Sequence, residues 1–444
     1  MKKSVSVIAV LLLVCILFTS CDSARIIRPV DSLLSPPLYH EEYEELVEAF
    51  RENVSKDVLF CSPREGDYSS AIIVEDIDSD GATEAIIFYK DGIESSAAKM
   101  HYFNTIDGRW VSRGDFNGYG NEVKKAVITD MDADGNSEII VIWQMSGVSS
   151  SNVMSVYKTS YDFDEYKEIS NEMCTVCEVA DVDGDSKKEI FYMNQITALG
   201  IAQRYARVMK ISGDSVALIG EAKVDPNISS YTSVKTEKAT GDSPLKFYID
   251  ALKGESQMIT ELIYWDKEKS ELCAPLLDEE TMSNTATLRY EPIASADVNN
   301  DGVIDIPVQK KMLGDAETES GIYVTDWIDY YDNEIHTVAN TLINYSDGYM
   351  INFDGNELET TGIRKYESQN CWVVYRTDYT GRSIGELYSV LKISADRWDE
   401  KEFSSYIPII EKDDGVICAY ITQSGVNMGI DSEYISNRVT KIPA

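Results

Sequence analysis

Acidic or amide side chains fall at positions 1, 3, 5 and 9 of a nine-residue segment that this chain writes four times. The copies are DIDSDGATE (76–84), DMDADGNSE (130–138), DVDGDSKKE (181–189) and DVNNDGVID (297–305). Oxygen donors at alternate positions of a tight loop can converge on one point, and calcium, a hard cation, takes about six to eight oxygens. The candidate ligands are Asp76, Asp78, Asp80 and Glu84; Asp130, Asp132, Asp134 and Glu138; Asp181, Asp183, Asp185 and Glu189; and Asp297, Asn299, Asp301 and Asp305. Glycine at position 6 (Gly81, Gly135, Gly302) suits a turn that needs positive φ. The third copy has Ser186 there and its glycine at Gly184, so a distorted turn and weaker binding are expected. The fourth replaces one carboxylate with Asn299 and is also expected to bind more weakly.

An EF-hand begins with the same D-x-D-x-D-G pattern, but it needs a glutamate at position 12 and a helix on each side. Position 12 here is Ile87, Val141, Tyr192 and Val308. The flanks are short β-branched runs: AIIV and AIIF around the first copy, AVIT and IIVI around the second. Such runs are strand signals. Ordinary acidic hairpin turns are the simpler alternative, but they give no reason to keep an acid at position 9 four times.

The elements that must carry these loops follow from their spacing. Their first residues lie 54, 51 and 116 apart, and the last gap is close to two repeats. One repeat without the metal loop is expected near 238–252, and two degenerate ones near 345–353 (YSDGYMINF) and 412–421 (KDDGVICAYI). Repeats of this length, with about four strands each, point to propeller blades. The expectation is an all-β fold: a β-propeller of about seven blades over residues 60–444, four of them carrying calcium loops, preceded by a short N-terminal helix. That helix is placed within 38–55, where Tyr43, Leu46, Val47 and Phe50 recur at helical spacing. Residues 1–21 read as a lipoprotein signal: Lys2 and Lys3, an apolar run from Val5 to Phe18, then Thr19-Ser20-Cys21. Cys21 is the expected lipidation site, residues 22–37 a tether, and the outer face of a bacterial membrane the expected location.

A net charge of −36 excludes nucleic acid as a partner, because phosphate would be repelled. Part of that charge is the calcium loops themselves. Export permits up to three disulfides among Cys61, Cys174, Cys177, Cys273, Cys371 and Cys418, but their wide spacing assigns no pairing; Cys174-x-x-Cys177 has the form of a redox or zinc half-site, and buried free thiols are the expectation for that pair. Of the three histidines, His40 flanks the helix, and His101 and His336 belong to no catalytic motif. YVTDWIDYYDN (323–333) packs aromatics among acids; these either fill space between sheets or offer a surface for sugar rings.

The D-x-D-x-D-G-x-x-[DE] loop between strands resembles the FG-GAP/VCBS-type repeats of integrin-like β-propellers. The LSPP stretch, the following helix and the calcium blades resemble exported bacterial VCBS-repeat lipoproteins. The resemblance implies that positions 1, 3, 5 and 9 bind up to four structural calcium ions. The Phe-Gly and Gly-Ala-Pro signatures of the integrin repeats are absent, so it implies no integrin-like partner. The expected function is a non-catalytic, membrane-anchored binding module for a protein or glycan. The alternatives are a polysaccharide lyase or hydrolase on a propeller scaffold, and a structural part of an envelope complex.

Overall fold

The computed structural model describes residues 43–54, 58–92, 97–145, 152–159, 166–198, 200–237, 244–290, 292–311, 322–355, 357–366, 368 and 370–442. The expected signal, Cys21, the tether, His40 and the first residues of the expected helix lie outside them. Helix α1 (Glu44–Asn53) buries Leu46, Val47 and Phe50, the stripe expected from the periodicity. No helix among the described residues is long and apolar enough to cross a membrane.

The strands of the described residues form six separate antiparallel sheets. The first holds β1 (Leu59–Phe60), β2 (Ile72–Glu75), β3 (Glu84–Lys90), β4 (Lys99–Ile106) and β5 (Arg109–Asn117), with β1 and β2 both paired to β3. The second is β6 (Glu122–Thr129), β7 (Glu138–Gln144), β8 (Asn152–Thr159) and β9 (Tyr166–Cys174). The third is β10 (Val176–Ala180), β11 (Glu189–Ala198), β12 (Ile201–Ser212) and β13 (Ser215–Val224). The fourth is β14 (Ile228–Glu237), β15 (Lys246–Lys253), β16 (Gln257–Asp266) and β17 (Glu271–Cys273). The fifth starts with β18 (Ile306–Lys311), β19 (Tyr323–Tyr331), β20 (Glu334–Asn344) and β21 (Tyr349–Phe353). The sixth joins β22 (Thr361–Tyr366), β23 (Cys371–Thr377), β24 (Ser383–Ser394), β25 (Ile407–Lys412) and β26 (Gly415–Ile421). Two short helices follow, α2 (Gln423–Asn427) and α3 (Ser432–Arg438), and the chain returns as β27 (Val439–Lys441) to the free edge of β21.

Six sheets are found among the described residues, where the spacing suggested about seven units. The metal-free repeat near 238–252 is real and contributes β15. YSDGYMINF, however, is the turn into β21 and completes the fifth sheet, while KDDGVICAYI ends in β26, inside the sixth. The later units are also longer. Between β17 and β18 the described residues of 274–305 form no strand.

Consecutive sheets pack face to face. Side chains of a strand alternate between its two faces, so each middle strand serves two cores. In β7, Ile139, Val141 and Trp143 pack with Phe88, Met100 and Tyr102 of the first sheet. Ile140 and Ile142 face the other way, onto Ile190, Tyr192 and Met209 of the third. Phe191 stacks on Phe247 at 4.0 Å between the third and fourth sheets. Tyr248 and Leu262 meet Ile306 and Ile328, and Leu342, Tyr349 and Ile351 meet Val374, Tyr388 and Ile417. The outer face of the first sheet is covered by α1, whose Phe50 packs with Ile87, Tyr89 and Phe103. These middle strands are therefore apolar on both faces, which is why the sequence shows them as unbroken runs such as EAIIFY and EIIVIW.

Candidate metal centres

All four acidic loops stand in one place in their sheets: each feeds the strand that position 9 opens. They join β2 to β3, β6 to β7 and β10 to β11, and the fourth enters β18 through an antiparallel bridge between Ala296 and Asp305. Their backbones repeat one another. The position 6 amide donates to the position 1 carboxylate: Gly81 to Asp76 (3.1 Å), Gly135 to Asp130 (3.0 Å), Ser186 to Asp181 (3.1 Å) and Gly302 to Asp297 (3.0 Å). The position 7 amide donates to the position 5 carboxylate at 2.7–2.9 Å in every copy.

The third loop is not distorted, contrary to expectation. Positions 4 and 6 are both left-handed throughout: Ser79 and Gly81 (φ 60° and 91°), Ala133 and Gly135 (58° and 95°), Asn300 and Gly302 (60° and 90°). In the third copy they are Gly184 (75°) and Ser186 (73°). The glycine has moved from one left-handed position to the other, and the backbone path is kept.

Position 9 is the hinge of each loop. Glu84, Glu138, Glu189 and Asp305 are at most 1% exposed. One oxygen of each accepts the amide of position 2: Ile77 (2.7 Å), Met131, Val182 and Val298 (each 2.9 Å). Ile77, Met131 and Val182 are themselves buried. This explains both the retained acid and the apolar residue at position 2. Consecutive loops are also stitched together: Ser137 N donates to Ile77 O (2.7 Å) and Lys188 N to Met131 O (3.2 Å). Each is position 8 of one loop bonding to position 2 of the loop before.

Burial raises the proton affinity of these acids, because an ionised carboxylate loses water without a full replacement. Glu84 is pushed up to about 7 and Asp305 to about 6; Glu138 and Glu189 also rise, with burial the leading cause in each. Three clusters place one ligand oxygen from each member within 4.8 Å of the others: Asp76, Asp78 and Glu84; Asp130, Asp132 and Glu138; Asp181, Asp183 and Glu189. Each could hold a metal ion. Asp80 lies on the exposed rim of the first, whereas Asp134 and Asp185 reach lysines in the second and third. In the fourth loop the Asn299 amide accepts from Asp301 N (3.0 Å) and donates to Asp301 (2.8 Å). Buried carboxylate oxygens without a hydrogen-bond partner occur in three of the loops: Asp132 Oδ1 and Glu138 Oε1, Asp181 Oδ1 and Glu189 Oε1, and Asp305 Oδ1, as expected of acids gathered around a cation.

Two of the loops meet a cation of the chain itself. Lys158 Nζ lies 2.6, 2.9 and 3.1 Å from Asp132, Asp134 and Glu138. Lys210 Nζ lies 2.8, 2.6 and 2.8 Å from Asp183, Asp185 and Glu189. Sequence reasoning missed both, because each lysine sits on a later strand; only the register brings it back to the loop.

The remaining candidates resolve as structure. The six cysteines among the described residues are free, and burial pushes the Cys174 thiol up to about 12, well away from a reactive thiolate. Trp327 is 1% exposed and donates to Thr341 Oγ1 (2.9 Å), filling space between sheets, whereas Tyr330 and Tyr331 line an open cleft with Tyr264, Trp265 and Lys246. His101 was read as an ordinary strand residue, yet it links Asp115 (2.5 Å, Nδ1) to Ser112 (2.9 Å, Nε2). This is the connectivity of a hydrolytic triad. Its ring is 2% exposed and packed against Phe50 and Phe103.

No family model matches this chain, and no curated protein matches it. Among solved structures it is similar to rhamnogalacturonan lyase YesW, at 11% identity and a TM-score of 0.31, covering 74% of this chain and 76% of that one. It is also similar to the Bacillus licheniformis rhamnogalacturonan lyase PL11, at 12% identity and a TM-score of 0.30, with the same coverage. Likenesses this weak carry no assignment.

Proposed function

We propose that the chain is a calcium-stabilised β-propeller whose blades are its six sheets. It would be held at the outer face of a bacterial membrane by lipid on Cys21 and would bind a protein or glycan without transforming it. The observation that carries this reading is the repeated loop, in which a buried position 9 acid ties the loop to its strand and, in three of the four copies, keeps an oxygen beside the acids of positions 1 and 3. Asp76, Asp78, Asp80 and Glu84, and their counterparts in the other loops, would hold the ions. Calcium there supplies charge balance among clustered carboxylates. The chain's own residues then fix the loops against one another through the Ser137–Ile77 and Lys188–Met131 bonds. The cleft lined by Tyr264, Tyr330 and Tyr331 offers aromatic faces beside Lys246, Asp266 and Lys267, a surface suited to sugar rings and their hydroxyls.

The test is retention against turnover. The full chain, in detergent with calcium, is passed over immobilised cell-wall and plant polysaccharides, and the eluate is assayed for reducing ends and unsaturated sugars. Retention that Tyr331→Ala weakens, without released product, supports a binding module. Released product contradicts it.

A further inference from the structure

We infer that the second and third loops are built around a lysine ammonium, which takes the place of the divalent cation, so that calcium is confined to the first and fourth. This rests on the calcium reading proposed above and refines it. In each sheet the relevant residue is found by following the ladder one step past its last rung. The last pairs are Ala85–Phe103, Ile139–Tyr157, Ile190–Met209 and Ile306–Ile328. The next residue stands opposite the position 9 acid, and it is Asn104, Lys158, Lys210 and Asp329 in turn.

Lys158 and Lys210 do the same thing in two different sheets. Each ammonium contacts the acids of positions 3, 5 and 9, all within 3.1 Å. An ammonium has three N–H donors and no acceptor; Lys158 donates to Asp132 and Lys210 to Asp183 and Asp185, and the remaining acids, Glu138 and Glu189 among them, are ion-pair partners. The Lys158 side chain is 6% exposed and that of Lys210 is 22% exposed, so neither is a surface lysine that settled on an acidic patch. Calcium entering either loop would have to expel the ammonium and leave a buried charge without partners, a costly exchange. The charge of positions 3, 5 and 9 is already partly balanced there.

The other two loops lack this device. Asn104 brings no charge, and its Oδ1 is buried without a hydrogen-bond partner. Asp329 brings a further acid, and Asp305, fully buried, keeps Oδ1 unpartnered. At neither loop does the facing residue supply a cation, so the charge of its acids is left to an external one. The ranking differs from the one the loop sequences suggest, in which the third and fourth are the weak pair. Ligand count within a loop does not report the residue that faces it.

Calcium stoichiometry of the full chain in detergent, measured by equilibrium dialysis with elemental analysis, tests this. Two ions are expected in the wild type, three in Lys158→Met and four in the Lys158→Met/Lys210→Met protein. Because removal of a buried lysine can impair folding, the converse variant is measured beside it: Asn104→Lys should lower the count from two to one. Four ions in the wild type, or a count unchanged by Asn104→Lys, would overturn the lysine assignment and leave the calcium reading standing. No calcium in any variant would remove both.

Discussion

Glu84→Gln should change stability in opposite senses with and without calcium. The carboxyl is 1% exposed, and burial moves it from an ordinary 4.5 to about 7. At about 1.4 kcal/mol for each tenfold change in proton affinity, the ionised group costs the metal-free fold about 3 kcal/mol above pH 7. Glutamine can keep the hydrogen bond from Ile77 N without the charge. In chelator at pH 8 the variant is therefore expected to be more stable than the wild type by up to about 3 kcal/mol. The folded carboxyl holds its proton more tightly than the unfolded one, so the wild-type contribution is complete below pH 4.5 and is lost as pH rises through about 7. The advantage of the variant should grow across that window. Calcium restores the wild type by mass action, by about 2.7 kcal/mol at a hundredfold excess over Kd and about 4.1 at a thousandfold. The gap should close at the first excess and reverse at the second. Urea unfolding followed by tryptophan fluorescence, in chelator and across a calcium titration, measures this. A variant less stable than the wild type in chelator at pH 8, or an advantage that calcium leaves unchanged, would refute the reasoning.

Two further outcomes follow from single positions. Arg289 and Asp250 are both fully buried and paired at 2.7 Å, with Thr260, Ser295 and Ser233 also donating to Asp250. Arg289→Met strands that carboxylate and should cost about 3–5 kcal/mol in urea unfolding, part of which adding Asp250→Asn should recover. At the left-handed positions, Gly81→Ala meets open space and so reports backbone strain alone, a loss of about 1–2 kcal/mol. Ser186→Gly relieves the same strain and should raise the melting temperature.

Much of this was legible in the chain. The loops, their flanking strands, the metal-free fourth unit and the buried stripe Leu46-Val47-Phe50 are local patterns, and local patterns survive folding. What escaped depends on partners distant in sequence. YSDG and KDDG look like the starts of new repeats, but they are hairpin turns inside sheets, and only strand pairing distinguishes the two. Ser186 looked like a defect because the second left-handed position, at Gly184, has no sequence mark of its own. Lys158 and Lys210 look like solvated strand ends until the register sets them opposite Glu138 and Glu189. His101 meets Asp115 and Ser112 only across the β4–β5 pair, and Asp250 meets Arg289 through the strandless excursion after β17.

Thermal unfolding of the full chain in detergent, with millimolar calcium and with chelator, tests the central claim most directly when the calcium retained after dialysis is measured on the same samples. Structural calcium requires a higher melting temperature with the ion, bound calcium that survives dialysis, and losses of both in Asp76→Asn and Asp305→Asn. An unchanged melting temperature with no calcium retained would mean that the four loops are acidic turns, held by their own hydrogen bonds.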